Sequence, residues 1–146
     1  MSTISAYLNF NGNCREAMHF YQECLGGILS MQTLAEHPDA DKMPKQMKAC
    51  VLHASLSRKG LLIMGTDMLG DEGLIKGNTI SLLLHCESET EIEDCYQKLS
   101  KGGKQTHPIA LSFWGALFGD LTDKFGNQWL LHYQKNKLKT NKHEND

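Results

Sequence analysis

Histidine, cysteine and acidic side chains are numerous enough in this chain for metal, acid–base or thiol chemistry, so their spacing decides which is available. The seven histidines, His19, His37, His53, His85, His107, His132 and His143, form no H-x-H or H-E-x-x-H pattern, which removes the sequence-local zinc motifs. His53, His85 and His132 fall on expected strands. Either each is hydrogen-bonded within its own sheet, or the three converge on a metal site that has no local signature. His53 sits at a strand centre and is the preferred catalytic candidate, because an imidazole titrating near neutrality can serve as a general base. The alternative is that it pins a neighbouring backbone group. Asp120, inside an otherwise apolar strand, is either a second polar candidate or half of a sheet-face ion pair.

The five cysteines, Cys14, Cys24, Cys50, Cys86 and Cys95, are odd in number and contain no C-x-x-C spacing. Buried, reduced thiols are expected rather than a disulfide framework or a structural zinc cluster. Cys50 and Cys86 have no adjacent cue for thiolate activation. The chain also lacks a G-x-S-x-G nucleophile elbow, a G-x-G-x-x-G loop and a P-loop. Phe113, Trp114, Phe118 and Trp129 place four of the aromatics within seventeen residues. They are either core beneath a hairpin or a stacking wall over a planar ligand, with Trp114 the first contact because it stands in the connection before a strand.

These residues must be positioned by elements that the local pattern already punctuates. Ile4 to Phe10 reads as a strand ending at Asn11-Gly12-Asn13. Asn13 is then placed to cap a helix, with Glu16 in the capping-box position, and the apolar stripe Ala17, Phe20, Tyr21, Cys24 and Leu25 runs to a Gly26-Gly27 stop. Ile28 to Leu34 is a second strand, 36 to 48 a loop, and Cys50 to Leu56 and Leu61 to Met64 a hairpin turning at Arg58-Lys59-Gly60. The order then recurs. Thr79 to Cys86 is an apolar strand, Ser88 with Glu91 a capping box, and Ile92, Cys95, Tyr96 and Leu99 a helical stripe ending at Gly102-Gly103. A strand from Gln105 to Ala110 and a hairpin with arms Gly115 to Leu121 and Gln128 to Tyr133 complete it. Asn13 and Ser88 lie 75 positions apart and Gly26 and Gly102 lie 76 apart, which points to an internal duplication.

The chain has 146 residues, the size of one ordinary domain, so the expectation is a single domain over 1–134 made of two modules, about 4–66 and 78–133, with a linker at 67–77. The polar segment 135–146 is expected to be a disordered tail. Fifteen Lys and Arg against seventeen Asp and Glu give a formal charge of -2, which offers no general attraction for nucleic acid or anionic lipid. No apolar run approaches the ~20 residues of a bilayer span. Met1 to Phe10 has neither the basic nor the apolar region of a signal peptide, so a cytoplasmic location is expected.

Two β-α-β-β-β modules, the segment from Phe20-Tyr21 to Leu25-Gly26-Gly27, and the late Thr122-Asp123-Lys124-Phe125-Gly126-Asn127-Gln128-Trp129 hairpin resemble the vicinal oxygen chelate superfamily of glyoxalases, bleomycin resistance proteins and extradiol dioxygenases. The closer resemblance is to its PhnB-like branch, through Leu8-Asn9-Phe10 with Gly12-Asn13-Cys14, the His53-Ala54 pair, and Phe113-Trp114 before the last hairpin. This resemblance implies an α+β fold of two βαβββ modules forming curved mixed sheets around a cavity, commonly completed as a homodimer. It also implies a divalent metal held by His and Glu on the first, fourth, fifth and eighth strands. By register those positions fall on Ala6, Met64, Thr79 and Leu130, none of them a usual ligand, so no metal and no other cofactor are expected.

If those positions face inward, the ligand-binding residues are Leu8, Met64, Thr79, Ser81, Trp114, Phe118, Gln128, Leu130 and His132, with Ala6, Leu62 and Leu83 on the same faces. Such a lining is apolar with a few hydroxyl and amide groups and suits a small, largely apolar or aromatic organic molecule. The expected function is binding of that molecule without a metal. The alternatives are a metal-independent isomerase or lyase using His53, and a metal lyase or dioxygenase with atypical ligands. The methyltransferase activity often attached to this branch is set aside, because neither a dinucleotide-type glycine loop nor a long β/α alternation is visible.

Overall fold

The computed structural model describes residues 1–134, and the expected polar tail lies outside the described residues. The chain divides into two compact units, Met1–Lys76 and the residues from Gly77 onward. Each unit carries one four-stranded mixed sheet, and neither sheet is closed.

In the first unit, β1 (Ala6–Asn9) leads to α1 (Cys14–Leu25), then β2 (Ile28–Thr33), β3 (Val51–Arg58) and β4 (Leu61–Thr66). The sheet order is β1-β4-β3-β2, with β1 parallel to β4 and the remaining pairs antiparallel. The expected loop at 36–48 contains the 3-10 turn Ala40–Lys42 and one short helix, α2 (Lys45–Lys48). The core forms where α1 meets one face of the sheet: Cys14, Ala17, Met18, Tyr21, Val51, Ala54 and Leu56 are fully enclosed. Packing is tightest at Gly65, where a Cβ would stand 3.1 Å from Phe10, 3.2 Å from the Cys14 sulfur and 3.3 Å from the Met18 sulfur.

The start of α1 differs from the sequence expectation. Asn13 makes no side-chain cap, and no bond from Glu16 completes a capping box. The Asp67 carboxylate accepts the Cys14 N–H and the Val51 N–H, each at 2.9 Å, and the Asp67 N–H donates to the Val51 carbonyl at 2.9 Å. A carboxylate at the positive end of a helix satisfies one of its orphan donors. This one also ties α1 to β3. At the other end Gly26 and Gly27 both have positive φ, and a Cβ on Gly27 would approach the Ser57 carbonyl oxygen to 2.8 Å.

In the second unit, β5 (Leu82–His85) is followed by α3 (Glu89–Ser100), β6 (Lys104–Leu111), β7 (Ala116–Thr122) and β8 (Gln128–Gln134). The order β5-β8-β7-β6 repeats that of the first sheet, again with the first strand parallel to the last. Here the expected cap is made: Ser88 Oγ accepts the Glu91 N–H at 3.0 Å. The Glu91 carboxylate reaches back to the Glu87 N–H at 2.9 Å, one residue short of the standard capping box. Ile92, Leu99 and Leu131 are fully enclosed beside Trp129, Leu121 and Leu84.

The strand expected from Thr79 begins only at Leu82. Its ladder runs from Leu82 opposite Trp129 to His85 opposite His132, so Thr79 and Ser81 lie ahead of it. Asn127, just before β8, is drawn into the hairpin turn by its N–H bond to Asp123. β8 starts at Gln128, where the sequence places the start of this arm.

Candidate functional site

Strand pairing assembles the helix-free face of the second sheet from residues far apart in sequence. Leu84, Leu121, Trp129 and Leu131 are buried with α3, so alternation puts their strand neighbours on the opposite side. Side chains paired across strands share a face. One row therefore runs Leu83, Leu130, Asp120 and His107, and the next runs His85, His132, Phe118 and Ala110. Ser81 Oγ donates to Gln128 Oε1 at 3.4 Å at the entry to these rows.

A chain of edge-to-face ring contacts follows the second row. Phe113 meets Trp114 at 4.9 Å between centroids, Trp114 meets Phe118 at 6.3 Å, Phe118 meets His132 at 6.4 Å, and His132 meets His85 at 5.2 Å. Trp114 is 52% and Phe113 98% exposed, whereas Trp129 is 2% exposed with its indole N–H donated to Asp123 Oδ2 at 2.9 Å. The four clustered aromatics therefore split: Trp129 is core, and Phe113, Trp114 and Phe118 form a wall at the surface.

Besides Asp120 and the Ser81–Gln128 pair, the polar groups on this face are histidines. The Nδ1 atoms of His85 and His132 stand 3.3 Å apart. Burial first, and His85 second, push the His132 pKa below the ordinary histidine value. At the far edge His107 Nδ1 lies 2.9 Å from Asp120 Oδ1, the ion-pair arrangement considered for Asp120 from sequence. Tyr96 on α3 fastens that edge, its single O–H shared between the carbonyl oxygens of His107 and Asp120, each 3.0 Å away. Burial, then Asp120, raises the Tyr96 pKa.

The first unit holds a separate polar pair. Tyr7 is opposite Met64, and Met64 is opposite Ser55, two positions from His53 on β3. These residues share the helix-free face, and Tyr7 Oη approaches His53 Nδ1 to 3.5 Å with ring centroids 5.9 Å apart. Sequence alternation predicts Leu8 on the face of Met64. Leu8 instead lies opposite Gly65, whose missing side chain points at Phe10, Cys14 and Met18 under α1. Leu8 is thus on the helix-covered face, and Tyr7 takes the place expected of it. The signal was present: Phe10, which is buried against the helix, has the parity of Leu8.

The four positions at which the fold family holds a metal do not suit one. Ala6 sits opposite Ile63, Met64 offers a thioether, Thr79 precedes its strand, and Leu130 is aliphatic. That donor set supplies neither imidazole nor carboxylate. Among the described residues, no group of three or more His, Cys, Asp and Glu could hold an ion. Thiol chemistry at Cys14 and Cys86 is disfavoured as well. Burial, then Asp67, pushes the Cys14 pKa up to about 12, and the Cys86 thiol is raised by its hydrogen bond with Cys95 and by burial. Among the described residues no helix is long and apolar enough to cross a membrane.

Comparison with known proteins agrees with this architecture. Residues 2–132 match the family described as 3-demethylubiquinone-9 3-methyltransferase. The chain is 30% identical to the Escherichia coli protein YjdN over 90% of its own length and 95% of that protein's. It superposes on PA1353 from Pseudomonas aeruginosa with a TM-score of 0.78 and 34% identity, covering 92% and 98% of the two chains. On the Bacillus cereus PhnB protein, titled a putative 3-demethylubiquinone-9 3-methyltransferase, the TM-score is 0.72 with 28% identity, covering 90% and 99%. The likeness of fold extends to a glyoxalase/bleomycin resistance protein from Albidiferax ferrireducens, with a TM-score of 0.62 at 15% identity over 91% and 99% of the chains. With its repeated β-α-β-β-β order and a family match over residues 2–132, the chain belongs to the 3-demethylubiquinone-9 3-methyltransferase family, the PhnB-like branch of the glyoxalase/bleomycin resistance fold.

Proposed function

We propose that this protein binds a small, planar, largely apolar molecule on the helix-free face of the second sheet, without a metal at the four family positions. The observation that carries this reading is the exposed ring wall Phe113-Trp114-Phe118 beside the apolar floor of Leu83 and Leu130. Exposed aromatic faces of this kind gain more from a stacked partner than from water. Thr79 and Ser81 are not strand residues, so the polar contacts to such a ligand come from Gln128 and His132. The reading includes a cytoplasmic location and a homodimer, since an open sheet face gains from being covered.

Methyl transfer, named in the family description, is not part of this proposal. Two open mixed sheets lack the parallel strand–glycine loop–helix unit on which dinucleotide-type cofactor sites are built. A second reading, a metal-independent isomerase or lyase, is favoured by one observation, the approach of Tyr7 to His53. A phenol beside an imidazole supplies an acid and a base on one face.

The test uses N-phenyl-1-naphthylamine, a neutral aromatic probe whose fluorescence rises when it leaves water. Saturable binding is expected, weakened about 3- to 10-fold by Trp114→Ala, from the ~0.5–1.5 kcal/mol of an aromatic pair. Undiminished binding by the Trp114→Ala/Phe118→Ala double variant, with an unchanged melting temperature, refutes the site. Light scattering that gives a monomer at micromolar concentration refutes the homodimer.

A further inference from the structure

We infer that His85 and His132 together form a binding site for a borderline divalent cation such as Cu2+ or Zn2+, distinct from the four metal positions of the fold family. Imidazole nitrogens bind such ions at about 2.0–2.1 Å, so two of them on one tetrahedral ion stand about 3.3–3.4 Å apart. The Nδ1 atoms of His85 and His132 are 3.3 Å apart. At that distance, in the metal-free state, one ring N–H can donate a long hydrogen bond to the other ring's Nδ1. The separation is too short for both nitrogens to donate at good angles to a single anionic oxygen between them. A cation accepting both lone pairs fits the same separation and would replace that hydrogen bond.

The backbone holds the pair in place. His85 and His132 are direct partners on parallel β5 and β8, and the Cys86 N–H donates to the His132 carbonyl at 2.7 Å just past the ladder. The His132 ring is further packed edge-on against Phe118. Among the described residues no third His, Cys, Asp or Glu completes a set, so water or donor atoms of a bound molecule fill the other coordination positions. Imidazole suits Cu2+, Ni2+ and Zn2+ and not Mg2+ or Ca2+, which fixes the class of ion. His132 lies two residues beyond Leu130, the family position on the same strand, so the site belongs to this chain's own residues. It also departs from the expectation, drawn from sequence, that no metal is held.

The experiment titrates CuCl2 into the untagged, full-length protein, with bound copper followed by electron paramagnetic resonance. One ion per chain with two coordinated imidazoles is expected. His85→Asn and His132→Asn should each weaken binding by about 100-fold or more, the loss that follows when one of two linked ligands is removed. The control His107→Asn should leave it unchanged. Protein labelled with 15N-histidine and titrated with ZnCl2 provides a reading without mutation: the Nδ1 signals of two histidines alone should move. Copper binding that persists in the His85→Asn/His132→Asn variant overturns the inference, and so does failure of the wild-type protein to bind either ion. Both outcomes are independent of the naphthylamine assay, which needs no metal.

Discussion

Asp123 offers the sharpest quantitative test of how this fold holds its site. The residue is 2% exposed and lies in the turn between β7 and β8. Its carboxylate accepts the Phe125 N–H at 2.9 Å, the Asn127 N–H at 3.0 Å and the Trp129 indole N–H at 2.9 Å. Asp123→Ala removes the acceptor that all three donors share. Two of these bonds are buried and one is half-buried. A lost acceptor for a buried donor costs about 1–3 kcal/mol, and less where water can enter, so the sum is about 3–5 kcal/mol. At about 2–4 °C per kcal/mol for a chain of this size, the melting temperature should fall by about 10–15 °C. Asp123→Asn keeps one oxygen for the two backbone donors but sets an amide NH2 against the indole N–H. Its loss should be smaller, about 1–3 kcal/mol. Urea denaturation followed by far-ultraviolet circular dichroism gives the free energies, and the emission of buried Trp129 reports the local change. Because β7 carries Phe118 and β8 carries His132, naphthylamine binding should weaken along with stability. A loss below about 1 kcal/mol for Asp123→Ala, or an equal loss for Asn and Ala, refutes the assignment of these bonds as the anchor of the hairpin.

Three further outcomes follow from the geometry. Tyr96 has its pKa raised on folding, so its phenol contributes stability that is present below about pH 10 and declines as pH rises through the folded value. Tyr96→Phe should cost about 1–2 kcal/mol at pH 7, and the gap from wild type should narrow in urea titrations above pH 10. Cys50 is half-buried whereas Cys14, Cys24, Cys86 and Cys95 are buried. One thiol should therefore react promptly with Ellman's reagent at pH 8 and the other four only after denaturant; prompt reaction of Cys14 would contradict its enclosure and its pKa of about 12. Gly103→Ala would drive a Cβ into the Thr122 carbonyl and to within 2.7 Å of the Asp123 carbonyl carbon. Backbone cannot yield as a side-chain tip can, so a loss of about 2 kcal/mol or more is expected, and a melting temperature within 2 °C of wild type would show that the α3–β6 turn relaxes freely.

The readings that succeeded from sequence share a physical origin. Both helices, both Gly-Gly stops, the Ser88 cap and the late hairpin are written within a few residues of where they act, because capping, amphipathic periodicity and turn preference are local interactions. The repeated order and its offset of 75 or 76 positions follow from the same local markers. Where the reading failed, the deciding partner was remote. Asn13 was expected to cap α1, but Asp67, 53 residues from Cys14 and inside the expected linker, takes that role. Leu8 and Tyr7 exchanged faces because one residue of register on a four-residue strand reverses every side chain, and β4 rather than β1 itself sets that register.

Sequence alone therefore determined the family-level architecture and the presence of an aromatic cluster near the last hairpin. It singled out Trp114 as the first contact but left core and wall open for the cluster as a whole, because the indole N–H of Trp129 finds its Asp123 partner only in the folded hairpin. The pairing of His85 with His132, 47 residues apart, was likewise decided by tertiary structure. Parallel strands have no turn between them to fix their register. That register, and with it the 3.3 Å between two imidazoles, exists only in the assembled sheet, where β8 lies between β5 and β7.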